Sequence, residues 1–137
     1  LQARVTLLGE VSDAALADLY AQADIFALPN REMPDGDTEG FGLVFLEANA
    51  SGKPVVSGRA GGVVEAVRDG VNGLQVPGED IGEIAQAVSR LLNDGVLYRK
   101  LADGGLEAAR RGDWKSRAAE FLALCDRLDP VNRHQPS

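Results

Sequence analysis

The chain has 137 residues, 45% of them hydrophobic and 26% charged, with 16 glycines and 6 prolines, a composition that excludes a disordered chain and a length that suits one domain or part of one. With 14 basic and 21 acidic side chains the net charge is −7, which excludes a nucleic-acid surface built on clustered Lys and Arg. A single cysteine, Cys125, and a single histidine, His134, exclude an internal disulfide and a histidine-built metal centre.

Arg4-Val5-Thr6-Leu7-Leu8 reads as a buried strand ended by Gly9. Ser12 then caps a helix whose apolar positions Ala15, Leu16, Leu19, Tyr20 and Ala23 follow helical spacing. Asp24 to Leu28 is a second apolar run, closed by Pro29, and its apolar residues, like those of the first run, suit a sheet covered on both faces. A polar loop from Asn30 to Thr38 leads to a helix from about Phe41 to Ser51, which Gly52-Lys53-Pro54 stops. Val55-Val56 forms a third strand core. Gly61 and Gly62 precede a short helix, Val63 to Val67, and Asp69 to Gly73 supplies turn chemistry before a fourth strand, Leu74 to Val76.

Beyond Pro77 the pattern is helical. Ile81 to Leu92 places Ile84, Ala85, Val88, Leu91 and Leu92 on one face. Val96 to Arg111 follows, interrupted by Gly104-Gly105, and then Trp114 to Leu128, whose Trp114, Phe121 and Leu122 read as core packing in preference to a partner-docking face. Residues 129–137 read as a frayed tail. Strands alternating with helices predict an α/β fold, a Rossmann-like parallel sheet with flanking helices and a helical C-terminal segment. No apolar run approaches the ~20 residues of a membrane span, no signal peptide opens the chain, and cytoplasmic location is the expectation.

Seven of the 16 glycines lie between Gly36 and Gly62, where two loops lead from strand ends into helices, the usual ligand position in parallel sheets. Glu39-Gly40-Phe41-Gly42-Leu43-Val44-Phe45-Leu46-Glu47 is the informative stretch. Gly40 and Gly42 at a helix start leave backbone N–H groups uncovered, and the helix dipole favours an anion such as a phosphate there. Glu47 follows about 7–8 Å along the axis at 1.5 Å per residue, where a carboxylate can accept from a ribose. Spacing alone leaves equally open a capped helix with Glu39 favouring the dipole and Glu47 solvated.

The stretch resembles the Glu-x7-Glu motif of the retaining glycosyltransferases of family 4, the group 1 glycosyltransferases of GT-B architecture. Tyr20-Ala21-Gln22-Ala23-Asp24 through Pro29 is similar to that family's Y-x-x-A-D-x-x-x-x-P run. Gly52-Lys53-Pro54-Val55-Val56, Gly61-Gly62-Val63-Val64-Glu65, Asp69-Gly70 and Gly73-Leu74 extend the likeness over about Val5 to Leu101. It implies a C-terminal nucleotide-sugar-binding domain over residues 1–128. In it Glu39 acts near the reacting sugar as the catalytic residue and Glu47 binds the ribose hydroxyls. The backbone of Gly40, Phe41, Gly42 and Leu43 receives the distal phosphate and sugar, and Gly61 and Gly62 shape the neighbouring loop. The donor is a nucleotide diphosphate sugar, with mannose or glucose as the hexose, transferred with retention to an acceptor the sequence does not identify.

The resemblance also implies no cofactor and no metal. Asp35-Gly36-Asp37 has the form of a DxD metal site, but it reads equally well as an acidic loop, and the Glu39–Glu47 likeness belongs to a metal-independent class. Arg59 reads as a surface arginine in preference to a phosphate ligand. A start at Leu1 within the expected strand suggests a partial domain lacking its first strands, together with the Gly-Arg segment and the Lys that neutralise the diphosphate in the family. Such a fragment is expected to be inactive alone, to pair Val5–Leu8 directly with Ile25–Leu28, or to dimerise through open strand edges. The parent enzyme is expected in the cytoplasm or peripherally at the inner membrane. Two alternatives stay open: a non-catalytic nucleotide- or phosphate-binding module, and a nucleotide-sugar epimerase of the same architecture.

Overall fold

The structure is a computed structural model that describes residues 4–31, 42–112, 118–119 and 122. Its elements run α1 (Asp13–Gln22), β1 (Phe26–Leu28), α2 (Leu43–Ala50), β2 (Val55–Ser57), α3 (Val63–Ala66), β3 (Gly73–Gln75), α4 (Ile81–Asn93) and α5 (Gly95–Arg111). Ser12 caps α1 by accepting from the Ala15 N–H at 3.3 Å, and Asp80 caps α4 by accepting from Glu83 at 2.9 Å. Asp94 ends α4 and starts α5, its carboxylate accepting from the Val96 and Leu97 N–H groups. Side-chain oxygens in these places occupy donors that the first helical turn leaves without an intrahelical acceptor.

Among the described residues the three strands form one parallel sheet in the order β1-β2-β3. Phe26 pairs with Val55 and Leu28 with Ser57, while Val55 pairs with Gly73 and Ser57 with Gln75. Alternation along β2 sends neighbours to opposite faces. Val55 joins Tyr20, Phe45, Ala48, Val63, Ala66 and Val67 on the face covered by α1, α2 and α3. Val56 joins Leu74, Val76, Ala87, Leu91 and Leu101 on the face covered by α4 and α5. The sheet is thus covered on both faces, as its apolar strands require.

The structure corrects the sequence reading in several places. Val5–Leu8 is not a strand: Val5, Leu7 and Leu8 are 62%, 93% and 55% exposed, and β1 pairs with β2 instead. An apolar run becomes a strand only when a neighbouring backbone accepts its ladder, and among the described residues none lies beside this one. The expected direct pairing of that run with Ile25–Leu28 is therefore absent, and the sheet keeps plain chain order. On α4 the buried positions are Ala87 and Leu91, while Ala85 and Leu92 face outward. On α1 only Tyr20 is buried.

Gly104-Gly105 does not break α5, which runs through both. These glycines are contact points. A Cβ at Gly104 would run into the Val71 carbonyl oxygen, and one at Gly105 would stand 2.6 Å from Asn49 Nδ2. The missing side chains let α5 lie directly on the backbone leading into β3 and on the end of α2. The Trp114–Leu128 helix, with Trp114 and Phe121, falls outside the described residues except at 118–119 and 122. Among the described residues no helix is long and apolar enough to cross a membrane.

Candidate functional site

The carboxyl ends of β1 and β2 carry the loops that lead to α2 and α3. Asn30, two residues beyond β1, ties these ends together. Its amide donates to the Ala60 carbonyl at 3.0 Å and its side-chain oxygen accepts from the Gly58 N–H at 3.0 Å. A Cβ at Gly58 or Gly78 would collide with the Asn30 carbonyl, so three loops close on this residue. The sequence marked Asn30 only as the start of a polar loop. Its bonding partners lie about 30 positions away, beyond the reach of any local pattern.

α2 starts at Leu43 after Gly42, whose backbone is left-handed (φ 68°, ψ 45°) and offers no capping side chain. Gly42 is buried and faces the start of α3: a Cβ there would lie 2.8 Å from Phe45 Cδ2 and 3.5 Å from Val63 Cγ2. Gly61 is likewise left-handed (φ 64°), and Gly62 immediately precedes α3. The expected donor-site residues Gly42, Leu43, Gly61 and Gly62 are therefore gathered at one edge, where α2 begins beside the α3 loop. Glu39, Gly40, Phe41 and the Asp35-Gly36-Asp37 segment lie outside the described residues.

Glu47 is the fifth residue of α2, about 6 Å along the axis from Leu43. It is exposed, and its Oε2 accepts a hydrogen bond from the Tyr20 hydroxyl at 3.1 Å. The same hydroxyl lies 3.4 Å from the Val44 carbonyl; its one proton favours the nearer, charged acceptor. Tyr20 is itself only 8% exposed, its ring 5.7 Å from that of Phe26, which stands edge-on to Phe45 at 5.6 Å. Burial, the hydrogen bond to Glu47 and the Glu47 charge push the Tyr20 hydroxyl up to about 12, so it is a proton donor, not an anion, at neutral pH. Tyr20 was visible as part of a run, but its link to Glu47 spans 27 positions.

The other end of α2 is anchored by a buried amide pair. Asn72 donates to the Asn49 side-chain oxygen and to the Ala66 carbonyl, both at 2.9 Å, and accepts from the Arg68 N–H at 2.6 Å. Asn49 donates to the Lys53 and Asn72 carbonyls, both at 3.1 Å. Ser57, at the carboxyl end of β2, is wholly buried, and among the described residues its hydroxyl has no hydrogen-bond partner. Arg59 is exposed and donates to the Gln75 carbonyl at 3.3 Å, as befits a surface arginine.

Two cavities, of about 130 and 230 Å³, open elsewhere, the first beside Leu46, Arg68, Gly104 and Arg111 and the second beside Arg59, Gln75, Glu83 and Arg90. Neither of these is lined by Gly42, Glu47 or Gly61, so among the described residues the candidate site is a shelf at the carboxyl ends of β1 and β2 and is not one of these two cavities. Among the described residues no group of three His, Cys, Asp or Glu side chains is placed to hold a metal ion.

Comparison with known proteins places this shelf in context. Residues 1–94 match the family model described as glycosyl transferases group 1. The GDP-mannose-dependent alpha-(1-6)-phosphatidylinositol monomannoside mannosyltransferase of Mycolicibacterium smegmatis is 42% identical over 107 residues, 77% of this chain and 28% of that protein. Sucrose-phosphate synthase from Thermosynechococcus elongatus superposes with a TM-score of 0.76 at 32% identity, over 92% of this chain and 30% of that one. Anabaena Alr3699/HepE, solved in complex with UDP, gives 0.77 at 30% identity, over 93% of this chain and 33% of its own. The chain thus spans only about a quarter to a third of the length of these relatives.

Proposed function

The chain belongs to the glycosyl transferases of group 1, and from that membership we propose that it forms the nucleotide-sugar-binding part of a retaining hexosyltransferase of family 4 and GT-B architecture, over residues 1–128. The observation that carries the reading is the geometry of α2. Its uncapped N-terminus stands beside the Gly61-Gly62 loop, and an exposed carboxylate held by the hydroxyl of a buried tyrosine follows about one turn later. A diphosphate at the helix start and a ribose at Glu47 fit that spacing.

In this reading the backbone of Gly40, Phe41, Gly42 and Leu43 receives the distal phosphate and the sugar, Gly61 and Gly62 border them, and Glu39 stands at the reacting face of the hexose. The bond from the anomeric carbon to the diphosphate breaks, and the acceptor oxygen joins that carbon on the same face. The acceptor proton leaves with the diphosphate. Negative charge grows on the leaving diphosphate, where backbone N–H groups aimed at it need no reorganisation. No metal or cofactor is assigned a part. A mannose or glucose donor is favoured, since the M. smegmatis relative is GDP-mannose-dependent and Anabaena Alr3699/HepE has been solved in complex with UDP-glucose. The acceptor is bound by other parts of the enzyme.

The test is a titration of the chain with GDP-mannose and UDP-glucose, repeated with Glu47→Ala. Removing a carboxylate that accepts from a ribose is expected to weaken binding on the order of 10- to 100-fold. Unchanged donor affinity would overturn the assignment.

A further inference from the structure

We infer that Tyr20 is a positioning residue of the donor site, holding Glu47 in the one orientation that can receive a vicinal diol; this rests on the ribose reading of Glu47 given above. A glutamate on an exposed helix face swings freely about three side-chain bonds, and fixing it on binding costs side-chain entropy. Here that freedom is already restricted. Tyr20 Oη holds Oε2 at 3.1 Å, and the tyrosine cannot follow a wandering carboxylate, because its ring is buried against Phe26, which is backed in turn by Phe45. Rigidity passes from the sheet through three rings to one carboxylate oxygen.

The bond also divides the carboxylate's acceptor capacity. Oε2 spends one lone pair on Tyr20, which leaves its second lone pair and both of those on Oε1. Two acceptors side by side suit two adjacent hydroxyls donating in parallel, the arrangement of a ribose 2′,3′-diol and not of an isolated alcohol. The tyrosine's ring is held in the core and its one proton is given to Glu47, so it acts through Glu47.

The experiment measures the affinity of the chain for GDP and UDP, and for their 2′,3′-dideoxy analogues, in wild type, Tyr20→Phe, Glu47→Ala and the double variant. Tyr20→Phe keeps the ring and removes only the hydroxyl. It is expected to weaken the ribonucleotides by on the order of three- to tenfold, to leave the dideoxy analogues unmoved, and to have no further effect once Glu47 is alanine. A loss shared equally by ribo and dideoxy ligands, or one that persists in the Glu47→Ala background, would mark a merely structural tyrosine and overturn the proposal. If Glu47→Ala weakens ribonucleotides while Tyr20→Phe does not, positioning alone fails; if Glu47→Ala has no effect, the ribose reading fails with it. A second measurement needs no tyrosine variant. The ring resonance of Tyr20 in the wild-type chain is expected to shift on adding the ribonucleotide and to stay put with the dideoxy analogue, and equal shifts with both would refute the link.

Discussion

Replacing Gly42 by alanine tests whether the start of α2 is set by backbone shape, by crowding, or by both. The residue sits at φ 68°, where an L side chain costs about 1–2 kcal/mol, partly offset by the ~0.4–1 kcal/mol that alanine gains by restricting the unfolded chain. Gly52 provides the control: its φ is 71°, yet nothing lies within 4 Å of a Cβ built there, so Gly52→Ala is expected to cost only about 1 kcal/mol. At Gly42 the new methyl would lie 2.8 Å from Phe45 Cδ2 and 3.3 Å from Cε2. Phe45 is wholly buried and its ring is braced edge-on by Phe26, so it has little room to yield, and overpacking of this kind adds about 1–3 kcal/mol. The expected total for Gly42→Ala is about 2–4 kcal/mol. Urea unfolding followed by circular dichroism should show its midpoint falling by about 1–2 M, against roughly 0.5 M for Gly52→Ala. Equal shifts for the two variants would refute the crowding argument and leave the backbone term alone.

Asn72→Ala removes the donor that serves the Asn49 side-chain oxygen and the Ala66 carbonyl, and the acceptor that serves the Arg68 N–H. Stranding buried polar groups costs about 1–3 kcal/mol each without full additivity, so a loss of about 3 kcal/mol is expected in the same unfolding assay, and less than 1 kcal/mol would show that the groups find other partners. The raised Tyr20 hydroxyl, at about 12 against an ordinary 10.0, means that the folded chain binds more protons than the unfolded one between those values. Its stabilising contribution is whole below pH 10 and declines as pH rises toward about 12. Tyr98 is also raised, first by burial and then by the charge of Asp24, and adds to the decline. Tyr20→Phe should therefore lose less stability than wild type between about pH 10 and about pH 12, and an identical decline in both chains would remove Tyr20 from the account.

Features written into contiguous residues were legible. β2 follows Pro54 and α2 ends before Gly52-Lys53-Pro54, because proline and glycine fix backbone locally. That the start of α2 lies beside the loop into α3 was also legible, since in parallel sheets such loops meet beyond the strand ends. The misreadings share one cause, dependence on a distant neighbour. Val5–Leu8 has the composition of a buried strand, but composition does not supply the adjoining backbone that a strand needs. Gly104-Gly105 has the composition of a helix break, yet Val71 and Asn49, more than 30 positions earlier, turn the pair into a packing surface. Asn30 and the Tyr20–Glu47 bond were hidden in the same way: each residue is unremarkable in its own window, and its role arises only when two loops or two helices meet.

The interactions around α2 are unevenly distributed along its length. Its rear half is fixed by the Asn49–Asn72 pair and by the close approach of α5 at Gly105. Its inner face is fixed by Phe45 and Ala48 in the core. Its front is uncapped, and Leu43 and Glu47 are exposed. A helix needs its first-turn donors satisfied, and α1, α4 and α5 meet that need with Ser12, Asp80 and Asp94. α2 instead begins with a glycine whose cap side chain is absent, so its start contributes little to its own stability and leans on what holds it from behind. Under the proposed donor reading that division suits a binding helix, a frame rigid enough to present N–H groups and a carboxylate at a set spacing. Mutations at the rear of α2 should accordingly lower stability first and donor affinity only with it, whereas changes at Glu47 should lower affinity while stability stays level.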